Sequence, residues 1–298
     1  MSLSLPDGIT EIALAEGYSA LQIKTPACQA TLALHGAHLT HWQPSHTRQP
    51  VLYTSPTTHY REGKAIRGGV PLCWPWFNAH PIDPQKYPSH GVARNRFWTL
   101  ESATIDGTTA KIILTLPATP EIKEHVPFAY HLRAIFTLGE TCVITLETTN
   151  QSEENIPVGG ALHTYLALSQ IDHINLAGLQ NTPYLDTTAE PEAHQVQQEA
   201  LLAITGEVDR IYFGTQNPIQ LHDPTWKRTI TVSKEESLST VVWNPWLEKA
   251  TALGDLPDQA YQDFVCIEAS NARQDTRILA PGETHALTTQ LKVLTTEP

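Results

Sequence analysis

Long apolar runs, paired cysteines and surplus positive charge are all missing from this 298-residue sequence. No apolar run approaches the roughly 18–20 residues that a membrane-spanning helix needs. Residues 1–10, MSLSLPDGIT, carry neither a basic n-region nor an apolar h-region. No secretory signal is therefore expected, and a cytoplasmic location is. The four cysteines, Cys28, Cys73, Cys142 and Cys266, show no paired or C-x-x-C spacing. They read as buried or incidental thiols of a reducing compartment, not as a disulfide frame or zinc site. Acidic side chains outnumber basic ones 31 to 19, for a net charge of −12 at pH 7. A surface this anionic argues against nucleic-acid or anionic-membrane partners. There is no GxxxxGK[ST] loop, GxGxxG turn or GxSxG elbow, which weakens nucleotide-driven and serine-hydrolase readings. His59, His80, His125 and His131 show no metal-ligand spacing, and no metal is expected.

What is present is a strand pattern. Hydrophobic residues make up 41% and charged residues 17%, enough apolar material for a real core. Period-2 alternation and β-branched residues predict strands over 21–25, 29–34, 38–43, 111–116, 131–138, 143–149, 229–232, 240–243, 264–269 and 286–293. Pro and Gly punctuate them at short intervals. Short helices are expected only near 121–125, 199–202 and 257–264. Many short strands with few helices imply an all-β, antiparallel sandwich or barrel. No internal repeat or linker divides the chain, so one domain over 1–298 is expected.

Two stretches depart from that pattern. Residues 66–98 pack adjacent glycines and five prolines into a long irregular connection, and loops of this length commonly have a function. The segment from Arg61 to Arg96 holds six basic and two acidic residues, so it is +4 on a body of −16. That island suggests a small anionic ligand, although an exposed basic loop has the same composition. The second stretch, 199–214, contains TGEVDRIY, a polar turn before an aromatic residue pair.

Within these segments several residues have chemical potential. Arg67 beside Gly68 and Gly69 can fork onto ligand oxygens where the backbone comes close, or can simply sit solvated beside a turn. In Ser89–Arg96, an extended chain puts His90, Arg94 and Arg96 on one face. His163 lies in a mostly small and apolar run, GGALHTYLAL, where a histidine is more often a satisfied core residue than a catalyst. Glu268 closes the apolar run FVCIEAS; burying a carboxylate there is costly unless it is paired or functional, and burial raises its pKa toward the range of a general base. Trp74, Trp76, Phe77 and Trp98 offer stacking faces for a sugar, or core.

Taken together, IRGGVPLCWPWF, PSHGVARNRFW, ALHTYLAL, TGEVDRIY and FVCIEASNA, in this order over about 200 residues, resemble the hexose-6-phosphate mutarotases (glucose-6-phosphate 1-epimerases) of the galactose-mutarotase-like superfamily. The resemblance implies a large antiparallel β-sandwich and an isomerase that interconverts the anomers of a hexose 6-phosphate without a cofactor. It places the catalytic histidine on His163 and the catalytic glutamate on Glu268. It places the substrate-contacting arginines on Arg67 and Arg94, and a substrate-binding aspartate on Asp209. A contact that is often glutamine in relatives falls on Ser89, which is shorter; the contact is then lost, bridged by water or taken over by His90. The implied partner is a sugar phosphate. The competing readings are a free-sugar aldose 1-epimerase, a non-catalytic carbohydrate-binding protein and, with no evident second carboxylate beside Glu268, less so a glycosidase. A single ring touching both catalytic groups leads us to expect His163 and Glu268 to face each other across one cleft, about a sugar ring's width apart.

Overall fold

The computed structural model describes residues 4–295; Met1–Leu3 of the N-terminal stretch lie outside the described residues. The chain is built almost wholly from antiparallel strands. A nine-stranded sheet carries the long hairpins, with Thr284–Thr295, Thr141–Asn150, Tyr130–Leu138, Thr109–Thr115 and Thr99–Asp106 in successive positions toward one edge. Burial alternates residue by residue along Tyr130–Leu138 and Thr141–Asn150, as expected for strands with one face in a core and one in water.

An eight-stranded sheet packs against it. Its order runs Ala193–Val196, Pro183–Asp186, Val208–Phe213, Ser239–Asn244, Phe264–Asn271, Gly160–Leu162 and Leu72–Cys73, and Tyr165–Ala167 also pairs with Phe264–Asn271. The two sheets share one core, in which Phe136, Ile144 and Leu291 of the first meet Leu162, Val265 and Ile267 of the second. A separate meander of four strands spans Ile9–Pro44.

Phe264–Asn271 is buried along its whole length, which explains why its sequence reads as a continuous apolar run rather than an alternating one. Val265, Ile267 and Ala269 face the inter-sheet core. Phe264 and Cys266 belong to a second cluster with Tyr165, Val241 and Trp243. By strand parity Glu268 shares that second face.

All ten expected strands are present, most of them extended by a residue or two. The helices fared worse. Residues 121–125 yield one turn, Pro120–Lys123, and 257–264 only the 3-10 turn Ala260–Gln262. Residues 199–202 are not helical: Leu201–Leu202 is an edge strand paired with Asn175–Ala177. The helix that does form, Trp246–Ala252, was not anticipated. Residues 199–214 also do not break the strand pattern, because Val208–Phe213 is an interior strand between Pro183–Asp186 and Ser239–Asn244. The 66–98 connection is irregular as expected, apart from Leu72–Cys73 and the 3-10 turn Ala93–Asn95. All four cysteines are buried and unbridged.

Candidate active site

A break in one strand builds the centre of the site. Gly160–Leu162 and Tyr165–Ala167 both pair with Phe264–Asn271, through Leu162 with Ala269 and Tyr165 with Cys266. His163 and Thr164 fall in the gap between these ladders, where the Ile267 N–H donates to the Thr164 carbonyl (3.1 Å) and the His163 N–H to Pro71 (3.0 Å). Such an irregularity re-aims a side chain. It brings His163 Nδ1 to 3.4 Å from Glu268 Oε1.

The two groups are therefore immediate neighbours, not a ring's width apart. The chemistry accounts for the difference: O1 and O5 of a cyclic sugar are bonded to the same carbon, so groups serving both oxygens need to stand side by side. Glu268 is 1% exposed and His163 7%. His163 Nδ1 and Glu268 Oε2 are buried without a hydrogen-bond partner. Burial, reinforced by the charge of Asp209 and partly offset by Arg94, pushes the Glu268 carboxyl well above its ordinary range. Burial, then the charges of Arg94 and Arg67, hold the His163 imidazole well below its own. The two shifts run in opposite directions: the carboxyl keeps its proton to higher pH than an ordinary glutamate, and the imidazole stays neutral to lower pH than an ordinary histidine.

The pair opens into a cavity of about 310 Å³ whose walls include every residue that the family resemblance placed at the site: Arg67, Ser89, His90, Arg94, His163, Asp209 and Glu268. Arg67 arrives on the RGG turn. Gly68 and Gly69 both have positive φ, and a Cβ on Gly69 would strike the Leu39 carbonyl and the His38 ring. His38 donates from Nε2 to the Gly68 carbonyl (2.7 Å), pinning the turn; burial lowers its pKa to about 3, so the ring stays neutral. The Arg67 guanidinium is held by Asp255 Oδ1 (3.0 Å from Nε) and by the Tyr165 hydroxyl (3.1 Å from Nη1). Arg94 donates to the Ser89 carbonyl (3.1 Å) and, among the described residues, has no carboxylate partner. Asp209 projects from Val208–Phe213, and burial raises its pKa.

The 89–96 segment is not extended. His90 has a positive φ and Ala93–Asn95 is a 3-10 turn, so Arg96 is turned away from the cavity and donates to the Asn95 carbonyl. Burial, with Arg94 beside it, holds His90 well below its ordinary pKa, so it adds no cation. Of the six basic residues in the island, only Arg67 and Arg94 reach the cavity. Trp74, Trp76 and Trp98 are largely buried, and only Phe77 of the expected stacking group lines this cavity.

The sequence reading missed Asn78, Trp243 and Lys249 in the cavity wall, as well as Asp255 and Tyr165 behind Arg67. Lys249 comes from the unanticipated helix and pairs with Glu207 at 2.9 Å. Asn78 has φ 59, a conformation that asparagine tolerates better than most residues, and its position after the aromatic run is the one signal that could have flagged it. A larger, mostly apolar cavity of about 520 Å³ lies next to the first and shares Phe77 and Asn78 with it. Size favours that cavity, but the buried acid–base pair lies in the smaller one, which makes the smaller one the candidate site.

The aldose 1-epimerase family profile matches residues 19–292. A protein of Escherichia coli (strain K12) named "Putative glucose-6-phosphate 1-epimerase" is 34% identical over 260 residues, 87% of this chain and 85% of that protein. One of the same name from Salmonella typhimurium (strain LT2) is 34% identical over 243 residues, covering 82% and 80%. The crystal structure of "a putative mutarotase" from Salmonella typhimurium superposes with a TM-score of 0.91 at 29% identity, covering 99% of this chain and 96% of that one. A family profile that spans almost the whole chain, with relatives and a solved structure that match it over most of their own length, leads to one conclusion: this chain belongs to the aldose 1-epimerase family.

Proposed function

We propose that this protein interconverts the α and β anomers of a hexose 6-phosphate, with glucose 6-phosphate the leading candidate, through acid–base opening and closing of the ring. The observation that carries the reading is the buried His163–Glu268 pair, 3.4 Å apart at the floor of a cavity that holds two arginines. Glu268 takes the proton from the anomeric O1 while His163 supplies one to the ring oxygen O5, and the C1–O5 bond breaks. The free aldehyde turns about its bond to C2. Closure on the other face returns both protons, with the two roles reversed. The step calls for bare Glu268 and protonated His163, the reverse of the distribution their displaced pKa values favour. A proton therefore passes from the carboxyl to the imidazole across the 3.4 Å between them before O1 is deprotonated.

Asp209 accepts hydrogen bonds from ring hydroxyls, Ser89 and His90 line the same wall, and Arg94 and Arg67 hold the phosphate. Support for the phosphate comes from the names of the bacterial relatives and from the unpaired charge of Arg94. One observation favours the free-sugar alternative: Asp255 already neutralises Arg67, which leaves the cavity less cationic than its arginine count suggests. Magnetisation-exchange NMR on glucose 6-phosphate and on glucose decides between them. The proposal expects catalysed exchange with a much lower KM for the phosphosugar. Equal KM values would favour the free-sugar enzyme, and no exchange with either sugar would leave a binding protein.

A further inference from the structure

We propose that Tyr165 is a positioning residue that couples the anion-binding arginine to the acid–base pair, so that one buried side chain sets both the direction of Arg67 and the plane of His163. The inference rests on the functional reading above and extends it to a residue that itself touches no substrate atom.

The geometry is specific. The Tyr165 ring stacks on the His163 imidazole, with centroids 4.9 Å apart and an interplanar angle of 11°. Trp243 meets Tyr165 edge-on at 5.9 Å and Phe264 packs against it at 5.1 Å, so the ring has no room to turn. The other end of the same side chain, its hydroxyl, accepts a hydrogen bond from Arg67 Nη1 at 3.1 Å. The Tyr165 main chain is tied to the same turn, because its N–H donates to the Gly69 carbonyl at 2.9 Å.

The Arg67 guanidinium is thus anchored at two points, by Asp255 through Nε and by Tyr165 through Nη1, which leaves three of its five N–H groups for a ligand. A long arginine loses much rotamer freedom when it binds an anion, and anchoring it beforehand removes that cost from binding. Burial keeps the phenol protonated across the working pH range, so the anchor persists. Tyr165 is 2% exposed and lies behind the cavity wall, which makes its role positional.

The two ends of the side chain have separable consequences. Tyr165→Phe keeps every ring contact and removes only the anchor on Arg67. It is expected to raise KM for glucose 6-phosphate by roughly three- to fivefold, with kcat within about twofold and KM for glucose unchanged. In an Arg67→Ala background, Tyr165→Phe is expected to change nothing further, since the hydroxyl acts through that arginine alone. A loss in kcat of the same size on both sugars, an unchanged KM for the phosphosugar, or full additivity with Arg67→Ala overturns the role assigned to Tyr165 and leaves the mutarotase reading standing. Failure of the unmutated protein to exchange glucose 6-phosphate anomers overturns the functional reading, and this proposal with it.

Discussion

At the scale of single residues, Glu268 shows the tension between fold and chemistry most directly. A carboxyl with one oxygen buried and unpartnered is destabilising when ionised. Glu268→Gln is expected to lower anomer exchange by about 10²–10⁴-fold, because the amide keeps the shape but takes no proton. The same change is expected to stabilise the fold at neutral pH. The folded-state pKa lies above the ordinary 4.5, so below that pH the carboxyl is neutral both folded and unfolded and carries no penalty. As pH rises past 4.5 the unfolded chain gains by ionising, and the wild type loses stability that the Gln variant keeps. Thermal melts at about pH 4 and about pH 8 test this; a gap that does not widen with pH contradicts the assigned shift. The pair also predicts a bell-shaped kcat/KM profile. The acid limb falls well below the ordinary imidazole value of 6.5, where a second proton leaves no base. The alkaline limb follows loss of the last proton from Glu268, above 4.5. An acid limb centred at 6.5 would mean that His163 is not the group titrating. The arginines differ in the same way. Arg94→Ala is expected to raise KM for a phosphosugar by roughly tenfold or more, and Arg67→Ala by about tenfold at most, because Asp255 already offsets its charge. Steady-state kinetics showing the reverse order would place the phosphate on Arg67.

Single elements deliver these residues. The RGG turn exists because two glycines adopt positive φ where the chain passes against Leu39, Tyr53 and Thr54. Gly69→Ala is expected to cost about 1–3 kcal/mol, from left-handed strain together with the collision of the new Cβ with backbone. It should raise KM for the phosphosugar, since Arg67 shifts with the turn. A Gly69→Ala protein with wild-type melting and kinetics would show that the turn does not position Arg67. The strand break at His163–Thr164 works the same way for the acid–base pair. Each half of the broken strand is read easily as a strand. The gap is not, because a two-residue interruption leaves no change in hydrophobic period.

For the whole molecule, one hydrophobic cluster runs from Ile9 to Val293 and draws on both large sheets and the four-stranded meander. We expect calorimetric unfolding in one cooperative transition, with matching calorimetric and van't Hoff enthalpies. Two resolved transitions would divide the chain into separate units. Among the described residues no helix is long and apolar enough to cross a membrane.

The sequence by itself determined the strand alternation, the all-β class and, through five short motifs, which side chains to look for around one cavity. Hydrophobic period and local backbone chemistry act within a few residues, so they are written in order along the chain. Tertiary structure alone decided how those side chains meet. Arg94 and Arg96 lie two residues apart, yet a 3-10 turn sends one into the cavity and the other away. Arg67, Tyr165 and Asp255 are separated by 98 and 188 residues, yet they form one hydrogen-bonded unit. Net charge along a segment therefore overstated the cationic character of the site. The field that a ligand meets depends on which carboxylate folds against each arginine, and that pairing is set by contacts between strands and loops far apart in the chain.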